Sequence, residues 1–215
     1  MNIDFFMKQL RECYKSWNSP VITLIAARTA DPFLILVSTI ISLRTKDEVT
    51  IDASERLFAK AKTPEKMMAL GSDAIAGSIY PAGFYATKSK RIVEISRILM
   101  KKYNGNVPDR MDDLLALPGV GRKTANLVLV EAFGQDAICV DTHVHRISNR
   151  TGYVKTTSPD ATEMALRNKL PKKYWKIYNE ILVAFGQKLC RPVSPWCSKC
   201  PVSGVCARNG VIKSR

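Results

Sequence analysis

Four cysteines in the last quarter of the chain constrain its fold more than any other sequence feature. Cys190, Cys197, Cys200 and Cys206 follow the spacing C-x6-C-x2-C-x5-C within seventeen residues. Where thiols are kept reduced, cysteines this close together are more often metal ligands than disulfide partners. The spacing accepts either Zn²⁺ or a [4Fe-4S] cluster, because both bind four thiolates. Zinc modules more often use two C-x2-C pairs, and this segment contains one.

The charge balance of the chain favours a polyanionic partner. Among its 215 residues, 33 are Lys or Arg and 19 are Asp or Glu, so the formal net charge is +14. Such an excess is typical of nucleic-acid binding, although an indiscriminately basic surface would give the same composition. The sequence has no secretory signal and no apolar stretch of bilayer-spanning length. We therefore expect an intracellular protein with no membrane partner, in the cytoplasm or nucleoid of a prokaryote.

Helical periodicity runs through nearly the whole chain and predicts an all-α fold. Asp31-Pro32 predicts the start of an apolar helix over Phe33–Leu43. Thr45-Lys46-Asp47-Glu48 has the pattern of a capping box before a helix that runs to about Ala61. Strand signals are scarce, since Ala137–Val140 is too short to build a sheet. Further helices are predicted over Lys88–Tyr103, Met111–Ala116, Arg122–Phe133 and Tyr174–Gln187, the last with a core-facing stripe of Trp175, Tyr178, Ile181, Leu182 and Phe185.

A glycine-rich turn, Leu117-Pro-Gly-Val-Gly-Arg-Lys123, separates two of these helices. Gly119 and Gly121 allow backbone torsions and close approaches that a Cβ would block. We expect the turn, with Val120 at its centre, to direct backbone N–H groups outward where the helix begins near Arg122. A helix N-terminus of this kind binds phosphate without reading bases. An ordinary helical hairpin would also have a glycine turn, but it would not need the adjacent basic pair of Arg122 and Lys123.

Lys123 and Asp141 are the candidate catalytic residues. Lys123 is either a phosphate contact or a nucleophile. As a nucleophile it needs a lowered pKa, which the positive end of the helix dipole and partial burial against residues 127–133 would both favour. Asp141, in Val140-Asp-Thr-His143, fits a helix N-cap as well as it fits catalysis. A carboxylate held in this way would stabilise positive charge at a sugar carbon and assist proton transfer.

Four further side chains are predicted to contact DNA. Lys88 follows a second, weaker turn pattern, Ile79-Tyr-Pro-Ala-Gly83. His143 lies on a basic helix, where a histidine more often contacts phosphate or packs than binds metal. Arg191 and Lys199 lie within the cysteine segment, which a bound metal or cluster would fold into a phosphate-contacting shape.

Two stretches of the sequence resemble the endonuclease III family of DNA glycosylases, within the helix–hairpin–helix glycosylase superfamily. One runs from Leu117-Pro-Gly-Val-Gly-Arg-Lys-Thr-Ala-Asn126 through Val140-Asp-Thr-His143, and the other is the cysteine quartet. The resemblance implies two helical domains that flank a DNA-binding cleft. A six-helix barrel is expected over residues 25–134, with its helix–hairpin–helix motif at about 111–133. A second domain, formed by residues 1–24 and 135–215, is expected to hold a [4Fe-4S] cluster in the loop 190–206.

The same resemblance implies a bifunctional enzyme of base excision repair. Lys123 takes the place of the family's catalytic lysine, and Asp141 that of its aspartate. Lys123 is expected to attack C1′ of the damaged nucleotide, expel the base and form a Schiff base, after which β-elimination cuts the strand 3′ to the abasic site. The implied partners are duplex DNA with abasic sites or with oxidised or ring-saturated pyrimidines that are flipped out of the stack. We expect the protein to act as a monomer.

Arg44 departs from the family pattern. In Ile41-Ser-Leu-Arg-Thr-Lys-Asp47 it stands where the family usually has Gln, at the position that fills the gap left by the flipped base. Because it precedes a predicted helix, we expect Arg44 on an exposed loop. Its longer, charged side chain is expected to alter the preference for lesion or opposite base.

Two other functions stay open on the sequence alone. A non-catalytic DNA-binding protein would use the hairpin as a phosphate clamp and would leave Lys123 and Asp141 without a special role. A monofunctional glycosylase would release the base and leave the strand intact.

Overall fold

The computed structural model describes all 215 residues and contains eleven α-helices, three short 3-10 turns and no β-strand. The prediction of an all-α fold is confirmed. None of the helices combines the length and the apolar character that crossing a bilayer requires. The helices are α1 (Ile3–Tyr14), α2 (Val21–Thr29), α3 (Pro32–Ser42), α4 (Asp47–Phe58), α5 (Pro64–Ile79), α6 (Tyr85–Tyr103), α7 (Met111–Leu115), α8 (Arg122–Phe133), α9 (Thr142–Arg150), α10 (Pro159–Lys169) and α11 (Trp175–Lys188).

The chain divides into two compact units. Residues 21–135 form the central unit, which contains α2 to α8. Residues 1–20 and 136–215 form the terminal unit, which contains α1 and α9 to α11. The domain limits expected from the sequence, 25–134 and 1–24 with 135–215, stay a prediction, and a boundary after residue 24 falls inside α2.

The core of the central unit is built around α3. The helix begins as predicted, because the Asp31 side chain accepts from the backbone N–H groups of Phe33 and Leu34, and Pro32 occupies the first turn. Every residue from Phe33 to Ile41 is buried. A helix that is apolar on all sides must be enclosed, and α2, α4, α6 and α8 all pack against α3.

The helix α4 is present, but its predicted capping box is wrong. Lys46 occupies the N-cap position and makes no side-chain capping hydrogen bond. The Thr45 hydroxyl instead accepts from the backbone N–H of Gly83 at 3.1 Å and from the Lys88 ammonium group at 2.8 Å. The Thr45 side chain therefore makes tertiary contacts in place of the helix cap that the local sequence pattern predicts.

The core of the terminal unit lies between α1, α9 and α11. Four of the five residues in the predicted stripe on α11 are confirmed as core, since Tyr178, Ile181, Leu182 and Phe185 are buried. The fifth, Trp175, is half-buried and packs against this core. Phe185 contacts Phe6 edge to face at 6.4 Å between ring centroids and stacks on Trp17 at 6.0 Å. Such aromatic contacts favour one relative arrangement of helices. They fix α1, from the start of the chain, on α11, from near its end.

Candidate functional site

The glycine turn between α7 and α8 has the form that the sequence predicts, but only one glycine is required by its torsion angles. Gly119 has a φ of 78°, and a Cβ there would lie 2.7 Å from Cδ of Arg91. Gly121 has a φ of −99°, and nothing lies within 4 Å of the position of its Cβ. The prediction for Gly121 is therefore corrected: no protein atom crowds it, and it leaves open space at the start of α8.

The N-terminus of α8 carries no side-chain cap. Gly121 is the N-cap residue, and the first helical residues are Arg122 and Lys123, both half-buried. The first N–H groups of a helix have no acceptor within the helix, and the dipole is positive there. The helix is buried from Thr124 to Leu129, so the burial predicted for residues 127–133 is confirmed for 127–129, whereas 130–133 are half-buried. Lys123 thus lies where the buried helix body meets the open turn.

Asp141 begins α9 and is its N-cap residue. One carboxylate oxygen, Oδ1, accepts from the backbone N–H of Val144 at 2.9 Å. The side chain is half-buried. The predicted capping role is confirmed, and the bond fixes the direction of the carboxylate.

The helix α9 also connects Asp141 to the cysteine segment. Arg146 donates from Nη2 to the carbonyl oxygen of Cys190 at 2.8 Å, and the same nitrogen lies 3.1 Å from Nδ1 of His143. A Cβ at Gly186 of α11 would overlap the His143 ring, so the glycine permits this close packing of α9 and α11. His143 is therefore half-buried and packed, and its contact with DNA stays a prediction.

The four cysteines of the quartet line a single cavity, together with Trp196, Val202 and other largely apolar side chains. Burial raises the pKa of the Cys190 thiol and raises that of Cys200 to about 11. A thiolate in this cavity therefore needs a compensating positive charge. No three His, Cys, Asp or Glu side chains lie close enough together to hold a single metal ion.

Arg150 supplies part of the compensating positive charge. It is 6% exposed, and Nη1 donates to Sγ of Cys190 at 3.3 Å and to the carbonyl oxygen of Arg191 at 2.7 Å. A second hydrogen bond to sulfur comes from the backbone N–H of Arg208, which lies 3.4 Å from Sγ of Cys206. Hydrogen bonds to sulfur are typical of the surroundings of ligating thiolates. Sequence reasoning missed both Arg146 and Arg150, because neither belongs to a recognisable spacing.

The two basic residues of the cysteine segment are exposed. Arg191 donates from Nε to the carbonyl oxygen of Gln187 at 3.3 Å. The Lys199 ammonium group lies 5.0 Å from the centroid of the Trp196 ring. Both cations face solvent, as a phosphate contact requires, and their contact with DNA stays a prediction.

Arg44 and Lys88 lie close together in the central unit but differ in exposure. Arg44 is exposed, as predicted, and its guanidinium lies 5.5 Å from the centroid of the Phe84 ring. Lys88 is 3% exposed, and its ammonium group donates to the carbonyl oxygens of Ile41 and Leu43 and to the Thr45 hydroxyl. The prediction that Lys88 contacts DNA is corrected by this burial, because protein oxygens already surround its ammonium group.

Comparison with known proteins gives one consistent result. The family model of the HhH-GPD superfamily of base excision DNA repair proteins matches residues 37–172. The endonuclease III of Thermotoga maritima is 48% identical over 179 residues, which are 83% of this chain and 84% of that protein. A solved non-covalent endonuclease III–DNA complex aligns with a TM-score of 0.86 at 33% identity, covering 96% of this chain and 94% of that chain. A trapped endonuclease III–DNA covalent intermediate aligns with a TM-score of 0.84 at 32% identity, with the same coverage of both chains.

Proposed function

The chain belongs to the endonuclease III family within the HhH-GPD superfamily of base excision DNA repair proteins, and on that basis we propose how its residues act on DNA. It is a DNA glycosylase with AP lyase activity. The observation that carries the assignment is the 48% identity to an endonuclease III over 83% of the chain. The matched superfamily region, residues 37–172, includes both Lys123 and Asp141.

Lys123 is the nucleophile of the proposed reaction. Its neutral Nζ attacks C1′ of the damaged nucleotide, and the glycosidic C–N bond breaks with its electron pair passing to the base, which takes up a proton. After a proton is lost from the new C1′–N group, the C1′–O4′ bond breaks with its electron pair passing to O4′, which takes up a proton, and the nitrogen and C1′ form a Schiff base. Removal of a C2′ proton then expels the 3′ phosphate oxygen, so the strand breaks 3′ to the abasic site. Lys123 lies in the first turn of α8, where the buried body of the helix meets the open glycine turn.

Asp141 supplies the carboxylate. It stabilises the positive charge that develops on the sugar as the base leaves, and it assists proton transfer during the reaction. Its hydrogen bond from the Val144 N–H supports this assignment, because a carboxylate of fixed direction costs no reorganisation during the reaction. The capping role and the catalytic role are therefore compatible.

The protein binds DNA, as its solved relatives do. The turn formed by Gly119, Val120, Gly121 and Arg122 binds a phosphate through N–H groups at the start of α8. Arg44 fills the gap left by the extruded nucleotide, while Arg191, Lys199 and His143 contact the backbone. The substrates are oxidised or ring-saturated pyrimidines and abasic sites in duplex DNA. The protein acts as a monomer, in the cytoplasm or nucleoid of a prokaryotic cell.

Cys190, Cys197, Cys200 and Cys206 hold a [4Fe-4S] cluster. Their shared cavity and the hydrogen bonds to two of their sulfur atoms support this, together with the family. When bound, the cluster is a structural crosslink that orders the loop carrying Arg191 and Lys199. The purified protein is expected to be coloured and to contain about four irons per chain. One zinc per chain and no colour would overturn this assignment.

Borohydride trapping tests the proposed chemistry. Reduction converts the Schiff base into a stable bond, so the wild-type protein is expected to become covalently attached to a duplex with one oxidised pyrimidine. Lys123→Gln is expected to abolish trapping and strand cleavage while binding undamaged duplex with little change. The matched control is Lys101→Gln, an exposed lysine near the end of α6. Base release from the wild type with intact strands would identify a monofunctional glycosylase, and binding alone a non-catalytic protein.

A further inference from the structure

Lys88 is a buried cation that the proposed chemistry does not use. Its ammonium group lies 2.6 Å from the carbonyl oxygens of Ile41 and Leu43 and 2.8 Å from the Thr45 hydroxyl. Burial lowers its pKa to about 8. Burying an ammonium group is costly unless its donors are all satisfied, and here three oxygens accept its three N–H bonds. All three acceptors lie within five residues, on both sides of Arg44.

The end of α3 explains why this segment needs an outside donor. The N–H of Leu43 bonds to Ile40, and the N–H of Thr45 bonds to Ser42. The carbonyl of Ile41 is thereby left without the N–H that a continuing helix would supply. A cation is favourable at a helix C-terminus, because the dipole is negative there. The Lys88 ammonium group, which belongs to α6, therefore acts as a C-terminal cap for α3.

The backbone at Arg44 depends on its surroundings. Arg44 has a φ of 53°, in the left-handed region that a residue with a side chain occupies only when its environment holds it there. On one side the segment is held by Lys88. On the other, the N–H of Gly83 donates to the Thr45 hydroxyl at 3.1 Å, and a Cβ at Gly83 would overlap the carbonyl oxygen of Arg44. Residues 42–45, the Arg44 segment, are thus fixed by α6 and by the turn before it.

We infer that Lys88 is a positioning residue for Arg44: its ammonium group fixes the backbone on both sides of Arg44, so that the guanidinium is presented where the extruded nucleotide leaves its gap. The inference rests on the proposed function of Arg44 in that gap. Lys88 itself touches no DNA. Hydrogen bonds from an ammonium group are about twice as strong as neutral ones, which suits a single side chain that orients a whole segment.

The first test compares Lys88→Met with the control Lys101→Met. Both remove one positive charge from α6, but only the first removes the donors at the Arg44 segment. Single-turnover base release by Lys88→Met is expected to fall by about 10-fold to 100-fold, since a displacement of about 1 Å at a positioning group can have an effect of that size. Lys101→Met is expected to retain the wild-type rate. Rates are measured below the unfolding temperature of each variant. They are divided by the amount of protein that borohydride traps on the DNA.

The salt dependence of binding to undamaged duplex separates positioning from direct contact. A lysine that contacts phosphate contributes about 0.9 to the slope of log affinity against log salt. Because the Lys88 ammonium group is enclosed, Lys88→Met is expected to leave this slope unchanged. A slope reduced by about one would show that Lys88 binds phosphate and would overturn the inference.

A double-mutant cycle tests whether Lys88 acts through Arg44. If it does, Lys88→Met has no further effect on base release once Arg44→Ala is present. Equal losses in both backgrounds would show independent action and would overturn the inference.

Gly83→Ala is a second variant, which keeps every charge. Its methyl group displaces the Arg44 carbonyl, so base release is expected to fall. As with Lys88→Met, this loss is expected to disappear once Arg44→Ala is present. It keeps the test decisive if Lys88→Met does not fold. Failure of the proposed function is a separate outcome, because the wild type would then not release the base at all.

Discussion

The two helices that begin at the proposed catalytic residues start in opposite ways. The first turn of α9 is capped by the side chain of its N-cap residue, since the Asp141 carboxylate accepts from the Val144 N–H. The first turn of α8 has glycine at the cap position and open space around it. Glycine is less stabilising at the N-cap than aspartate by about a few tenths of a kcal/mol, so α8 forgoes a little stability at its start. The start of α9 holds a carboxylate in place, whereas the start of α8 has no side-chain cap, as the proposed phosphate site requires.

The largest expected effect separates capping from catalysis at Asp141. Asparagine is as good an N-cap as aspartate but carries no charge. Asp141→Asn is expected to lower the rate of base release by about 10²-fold to 10⁴-fold, the usual range for a proton-transferring group, with little change in stability. Asp141→Ala is expected to lose this activity and also about 1 kcal/mol of stability. The measurements are single-turnover kinetics and urea unfolding, and full activity in Asp141→Asn would leave Asp141 as a cap only.

The next largest effect is expected from a variant that gives α8 a carboxylate cap like that of α9. Gly121→Asp places a carboxylate where a phosphate is proposed to bind, and like charges brought together at an interface cost several kcal/mol. Affinity for duplex DNA is expected to fall by about tenfold or more, while the unfolding free energy stays the same or rises by a few tenths of a kcal/mol. Fluorescence anisotropy and urea unfolding measure the two quantities. Unchanged affinity would contradict the assignment of this helix start to DNA.

The smallest effect concerns the glycine that the turn itself requires. Gly119→Ala forces a side chain into a left-handed conformation and against the Arg91 side chain, so it is expected to lower the unfolding free energy by about 1–2 kcal/mol. Gly121→Ala is the matched variant, with an ordinary φ and no neighbour, and its stability is expected to stay within about 0.5 kcal/mol of the wild type. Equal losses in the two variants would contradict this distinction.

Features that depend on neighbouring residues could be predicted from the sequence. Asp31-Pro32 begins α3 through its own side chain, and α6 ends at Asn104 in the left-handed conformation that the Asn-Gly pair favours. The turn at Gly119 and the cap at Asp141 belong to the same class, since each is determined within a few residues. These local rules account for the starts of α3 and α9, for the end of α6 and for the turn before α8.

Features that depend on distant residues could not be predicted. Thr45 has the pattern of a cap, yet its hydroxyl binds Gly83 and Lys88, which lie about forty residues further along the chain. Lys88 looks like a surface cation because its sequence neighbourhood is polar, and only the folded chain brings it to the end of α3. Arg150 reaches the cysteine segment in the same way, through a contact 40 residues away in sequence. Buried cations of this kind leave no periodic signal.

The proposed reaction depends most on the bond between Lys123 and the sugar. The direct measurement is mass spectrometry of the tryptic peptides from the borohydride-reduced complex with a duplex carrying one oxidised pyrimidine. If Lys123 is the nucleophile, the reduced sugar remnant is attached to its Nζ. Attachment to any other amine of the chain, or the absence of any modified peptide while base release continues, would contradict it.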